Sequence, residues 1–377
     1  MRIEQRQWTK VEGWVPAETP ALTAAQLVFV FGGTALINDP QRMGELRRRY
    51  AKAHLFGCST AGEIYGTRVL DNSLVTTAVQ FEHTSLHHAT ATIQDSAQSC
   101  ETGRQLAAQL PREGLVHILV LSDGLNVNGS ELVAGLTRDL PNTITVTGGL
   151  SGDGVRFQET SIVANGTCGS RVVAAVGFYG TRLKVGYGSL GGWDPFGPER
   201  LITKSKGHAL YELDGRSALA LYKEYLGDHA KDLPASGLLF PLSLRVGQET
   251  GVVRTILAID EAQQSMTFAG DVPEGAYVRL MKANFDRLID GAAGAARRSY
   301  EAIGSTSPEM ALLISCVGRK LVLKQRIEEE VEGVRDILGG KTVLMGFYSY
   351  GEISPFTPNA KCELHNQTMT ITVFSER

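Results

Sequence analysis

The chain has 377 residues, 43% of them hydrophobic and 20% charged, with 37 basic against 40 acidic residues and a formal net charge of −3. That length exceeds one ordinary core, so two domains are the default. No run of five or more Lys/Arg occurs, which removes nucleic acid as a partner class, since such a surface needs concentrated positive charge. Five scattered cysteines, Cys58, Cys100, Cys168, Cys316 and Cys362, form no CxxC pair; this argues against a disulfide framework, a zinc ribbon and covalently attached haem. The start, MRIEQRQWTKVEGW, carries charge where a signal peptide needs an apolar run, and no apolar run reaches membrane-spanning length. A reduced, cytoplasmic protein without membrane insertion is expected.

LVFVFGG (27–33) reads as a buried strand closed by a tight turn. A helix is predicted over Pro40–Lys52, then a strand through AHLFG running into CSTAGEI, then an alternating strand in SLVTTAVQFEHTSL. The order repeats: strand LVHILVLSDG, helix SELVAGLTRDL with Ser130 as its N-cap, strand and Gly-rich loop TITVTGGLSGDG, and a hairpin turning at Asn165-Gly166. GYGSLGGWDPFGPER (186–200) reads as a domain boundary. After it come a hairpin at Lys206-Gly207, a helix capped by Asp214, and four short strands that suggest an antiparallel meander. A helix over 285–303 leads to a third copy: strand ALLISCVGRK, a helix marked by Leu323, Ile327, Val331, Val334 and Leu338, the loop GFYSYGEISP, and a closing strand in NQTMTITVFSE.

The fold class is therefore α/β: two domains built on mixed sheets with repeated βαβ-like units and an antiparallel meander in the middle. The predicted division is an N-terminal arm (1–26), an N-terminal domain (27–190, units at 27–90 and 115–180) and a C-terminal domain (191–377, meander at 201–282, third unit at 311–375). Each unit carries a first-turn glycine (Gly33, Gly124, Gly318) and, about 30 residues on, as a βαβ crossover requires, a Gly-acid pair: Gly62-Glu63, Gly152-Asp153 and Gly351-Glu352. In a βαβ unit these turns fall on one sheet edge, where open α/β sheets bind ligands. Glycine also lets backbone N–H groups approach a guest closely.

GCSTAGEI, LITKSKGHALYELDGRSALALYKEYLG, GFYSYGEISP and CELHNQTMTITVFSE, in this order, resemble the FIST (F-box and intracellular signal transduction) family over about 27–375. The resemblance implies a ligand-sensing module in signal transduction, often working with histidine kinases or chemotaxis receptors, with amino acids proposed as ligands. Some stand-alone bacterial members look like haem-binding nitric-oxide sensors that modulate a partner kinase. No kinase, methyl-accepting or F-box segment is present in this sequence, which fits a stand-alone sensor acting through a partner such as a histidine kinase. Self-association into a homodimer stays open.

The ligand-binding candidates are Cys58, Ser59, Thr60, Gly62, Glu63, Gly149, Gly152, Asp153, Arg319, Tyr348, Tyr350 and Glu352. In the amino-acid form, Glu63, Asp153 and Glu352 accept an ammonium, while glycine N–H groups and Arg319 take the carboxylate. Tyr348 and Tyr350, two apart on an extended segment, share a face and can stack on a planar guest. In the haem form, non-covalent haem b needs an axial His, Cys or Tyr, and His365 in CELHNQTMT is the candidate ligand. No dedicated metal site is expected. Catalysis is the least favoured reading: Cys58 as a nucleophile lacks a companion GxSxG, HExxH or Walker sequence.

Overall fold

The computed structural model describes all residues except 18–19, 142, 166, 246–251, 305, 357–359 and 377. Its core is three copies of one unit. In the first, Leu27–Gly32 pairs in parallel with His54–Ser59 and antiparallel with Leu74–Gln80, which is flanked in turn by Arg2–Thr9. In the second, Leu115–Ser122 lies between Thr145–Leu150 and Val172–Tyr179, flanked by Ser85–Thr92. In the third, Met310–Cys316 lies between Val343–Ser349 and Met369–Glu376, flanked by Leu183–Leu190. The central strands, LVFVFG and MALLISC, are buried throughout, as expected of strands covered on both faces.

Each unit completes its neighbour. The strand after the first unit's glycine loop, Glu63–Tyr65, adds to Val343–Ser349 of the third unit. Ile162–Ala164 of the second adds to His54–Ser59 of the first, and Gly351–Pro355 of the third adds to Thr145–Leu150 of the second. The exchange is cyclic and gives three equivalent mixed sheets around a pseudo-threefold axis. One core fills the space between them: Phe29 and Phe31, Leu119 and Leu121, and Leu312 and Ile314 meet there with Phe178, Phe347 and Phe374. Phe31 and Phe347 stand 4.7 Å apart, and Phe178 and Phe374 5.3 Å, within the range of favourable ring pairs.

The middle segment forms a separate antiparallel sheet over Asp194–Lys282, packed on the helix Ala218–Leu226 by Leu219, Tyr222, Leu244 and Phe268. Several local readings shift. The stretch expected as one strand after residue 73 is two, Leu74–Gln80 and Ser85–Thr92. The predicted third-unit helix breaks at Lys324 into Val317–Leu323 and Ile327–Leu338. Asn128, not Ser130, caps the helix Gly129–Thr137 by accepting from Glu131 N. Ser217, not Asp214, caps Ala218–Leu226, because Asp214 accepts from Leu201 N and Arg200 instead. Gly166 of the predicted hairpin turn lies outside the described residues.

Candidate functional site

The three glycine loops meet at the axis. Gly152 N donates to Ser59 O at 2.9 Å, Ala61 N to Tyr348 O at 2.8 Å, and Tyr350 N to Leu150 O at 3.2 Å. The loops are zipped to one another by backbone hydrogen bonds, and most of their polar side chains are engaged in hydrogen bonds within the fold.

Glu63 is fully buried and accepts from Thr60 Oγ1 at 2.5 Å and from both the N–H and the hydroxyl of Ser73. Glu352 repeats this with Ser349 Oγ at 2.6 Å and the N–H and hydroxyl of Thr368. Asp153 accepts from Thr34 Oγ1, Arg156 and the backbone of Gln158 and Glu159. Arg319 is fully buried; it pairs with Glu330 at 2.7 Å and donates to Gly191 O and Leu288 O. Tyr348 donates to Glu330 Oε1 at 2.7 Å. Cys58 is packed beside Phe31 and Phe56 in the central core, and burial pushes its thiol well up. Ser59 bonds Gly152 O and Ser161 N. Gly62 is backed by the Lys320 ammonium, and Gly149 by Ile314. These acids and this guanidinium therefore have their capacity filled within the fold.

Desolvation raises Glu63 to about 7 and Glu352 to about 8, against an ordinary value of 4.5, despite the hydroxyls that favour the ionised form. Both carboxyls hold their proton more tightly in the native chain than in the unfolded one. Their contribution is complete below about pH 4.5 and is lost as pH rises through 7 to 8. The urea midpoint is expected to fall between about pH 6 and about pH 8, and Glu63→Gln with Glu352→Gln to flatten that fall by on the order of 1 kcal/mol or more. An unchanged slope in the double variant refutes the assignment.

A cavity lies beside this rim. It has a volume of about 730 Å³ and sits between the units and the middle sheet. Gly124, Leu150, Cys316, Val317, Gly318 and Tyr350 form the floor, at the C-terminal ends of the second and third units' parallel strands. Leu238, Thr255, Ile256, Leu257, Phe268 and Ala269 of the middle sheet form the roof, with His208 exposed at the edge. Among the described residues its lining contains no Asp, Glu, Lys or Arg.

Three features mark the cavity as more than a packing gap. Among the described residues Thr255 Oγ1 is buried without a hydrogen-bond partner, a state that costs free energy unless something fills it. Phe157 holds φ at 52°, which is costly for a bulky side chain; Tyr350 Oη accepts its N–H, and the two rings stack at 4.4 Å. Gly318 leaves room for the buried amide of Gln367, whose Nε2 would lie 2.4 Å from a Cβ there. Of the sequence candidates, only Tyr350 lines this cavity. His365 does not: it is buried, with Nε2 on Ser354 O at 2.8 Å. Cys316 carried a usable signal, since it ends the third unit's central strand two residues before Gly318. The roof residues carry no motif.

The architecture is an α/β module in which a triplicated core and an inserted sheet enclose an uncharged hollow. A FIST N domain model matches residues 26–216 and a FIST C domain model residues 218–355. The chain belongs to the FIST family, a family of signal-transduction sensors. An uncharacterized protein of Mycobacterium tuberculosis is 28% identical over 274 residues, covering 68% of this chain and 67% of its own. An uncharacterized protein of Methanocaldococcus jannaschii is 25% identical over 239 residues, covering 59% of this chain and 43% of its own. A cyanuric acid hydrolase from A. caulinodans aligns over 100% of this chain and 99% of its own at a TM-score of 0.38 and 9% identity, a likeness too distant to carry an argument. Among the described residues, no helix is long and apolar enough to cross a membrane.

Proposed function

We propose that the protein is a small-molecule sensor whose guest occupies the 730 Å³ cavity and is uncharged, largely apolar and hydrogen-bonded by Thr255. The carrying observation is the uncharged lining around an unpartnered hydroxyl: a charged guest would lose its hydration there with no counter-charge, whereas an apolar body with one polar group would satisfy Thr255. Because the guest touches both the triplicated core and the middle sheet, binding favours one arrangement of the two. That population shift is the signal passed to a partner such as a histidine kinase in the cytoplasm. The five free cysteines are in keeping with a reducing compartment. Binding rather than catalysis is favoured because Cys58, the candidate nucleophile, is sealed in the core.

The haem and nitric-oxide form of this reading does not fit His365, whose Nε2 is engaged and which faces neither cavity. Of the residues in the apolar cavity, His208 or Cys316 would hold the iron, and haem would supply the nitric-oxide-binding centre, but among the described residues the lining offers no Lys or Arg to the two haem propionates, so this form fits the cavity less well than an uncharged guest. Haem titration followed by absorption tests this form: a sharp Soret band lost in His208→Ala or Cys316→Ala supports it, and a broad unsaturable band removes it.

Thr255→Val tests the wider proposal. It removes a buried, unsatisfied hydroxyl, so the ligand-free protein is expected to keep or gain stability, by up to about 1 kcal/mol. Affinity for a guest found by thermal-shift screening of uncharged compounds is expected to drop about tenfold. A screen that returns only charged compounds, or a hit that Thr255→Val leaves untouched, refutes it.

A further inference from the structure

The strand segment that contributes Thr255 to the apolar cavity turns Arg254 the other way, into a second cleft of about 800 Å³. This cleft lies between the helix Gly129–Thr137, the strand Cys362–His365 and the edge of the middle sheet. Arg254 is 6% exposed. Its Nε donates to Asp271 O at 3.1 Å and its Nη1 to Leu364 O at 2.9 Å. Nη2 is left over, and among the described residues no carboxylate forms an ion pair with this guanidinium. Asp271 and Glu363 act on it only as more distant charges, and burial pulls it down to about 10, so it stays a cation at neutral pH.

A buried cation without a paired counter-ion is costly to keep. Two further observations say what would relieve that cost. Ser130 lines the same cleft, and among the described residues its buried Oγ has no hydrogen-bond partner. Arg138 and Lys361 line it as well, so cations outnumber the two carboxylates, Asp271 and Glu363. Ser130 is free for this role because Asn128 does the capping.

We propose that this cleft binds a small oxyanion, a carboxylate or phosphate group, through Arg254 Nη2 and Ser130 Oγ, with Lys361 at its edge. The guanidinium supplies charge-assisted hydrogen bonds and the hydroxyl fixes the orientation. The site is separate from the apolar cavity and does not depend on the reading given to it.

The test is calorimetric titration of the full chain with sodium phosphate and, in a second series, sodium acetate, at an ionic strength held constant with chloride. Saturable binding of at least one anion is expected. Arg254→Gln is expected to weaken it about tenfold or more and Ser130→Ala several-fold, while Thr255→Val, in the other cavity, leaves it unchanged. The two series separate a phosphate site from a carboxylate site. No saturable binding of either anion overturns the proposal. So does binding that survives Arg254→Gln and Ser130→Ala but vanishes in Lys361→Ala, which marks a surface attraction. Should Arg254→Gln lose its native circular dichroism, Ser130→Ala decides: unchanged affinity there also overturns the proposal.

Discussion

Arg319→Ala is expected to lower the unfolding free energy by about 3–5 kcal/mol, the cost of stranding a buried charge. Arg319 and Glu330 are both fully buried. Glu330 also accepts from Ser315 Oγ and Tyr348 Oη, and Arg319 also holds Gly191 O and Leu288 O. Removing the guanidinium leaves a carboxylate and two carbonyls without their donor. Removing both charges in Arg319→Met/Glu330→Leu is expected to recover much of the loss, since an apolar pair of similar volume avoids the uncompensated ion. Urea midpoints at constant m value measure both. A single variant within about 1 kcal/mol of wild type would show that the network contributes little.

The second large effect comes from three glycines. Gly57, Gly148 and Gly346 occupy the same place in the three units, in the second parallel strand where it crosses the first. A Cβ on them would lie 1.7 Å from Val30 O, 1.8 Å from Val120 O and 1.8 Å from Leu313 O. The obstacle is backbone, which cannot rotate away. Each Gly→Ala change is expected to cost at least the upper end of the roughly 1–3 kcal/mol of ordinary overpacking, and to move the chain into the insoluble fraction. Gly169→Ala and Gly340→Ala, with no atom of the described residues within 4 Å of the added carbon, are the controls; expression and melting temperature should be near wild type. Equal behaviour of the two sets would disprove the close approach.

The repeat was readable because hydrophobic runs and turn glycines are local. LVFVFGG, LVHILVLSDG and ALLISCVGRK do supply the three central strands, though the last stops at Cys316 and Val317 already opens a helix, short of the expected end at Gly318. The echo of GCSTAGEI in GFYSYGEI is structural: Glu63 faces Phe347 in the neighbouring sheet as Glu352 faces Gly149. Gly152-Asp153 is not the third member. The second unit carries an inserted loop, so Ile162, facing Cys58, takes the position that Glu63 and Glu352 hold elsewhere. Spacing alone could not reveal that offset. Nor could it reveal which sheet each hairpin joins, because edge pairing is decided by tertiary packing. The reading of loop acids and Arg319 as ligand contacts treated polar residues at a rim as available, whereas the fold spends them on buried hydrogen bonds. The cavity was harder still: its roof residues between 208 and 270 lie far from the floor in sequence, and an unpartnered threonine leaves no trace in a string of letters.

The cyclic loan of hairpins also sets how the protein can be taken apart. The boundary between the two family domains, near residue 217, falls where the chain is divisible on paper but not in space. A fragment ending there would keep Thr145–Leu150 yet lose its neighbour Gly351–Pro355, and would carry Glu63–Tyr65 with nowhere to dock. Such bare strand borders invite pairing with other chains. The same wiring ties the hollow to the whole core: at its wall Tyr350 immediately precedes the loaned hairpin and Leu364 lies in its second strand, so a guest that shifts them tugs on a sheet belonging to a different repeat.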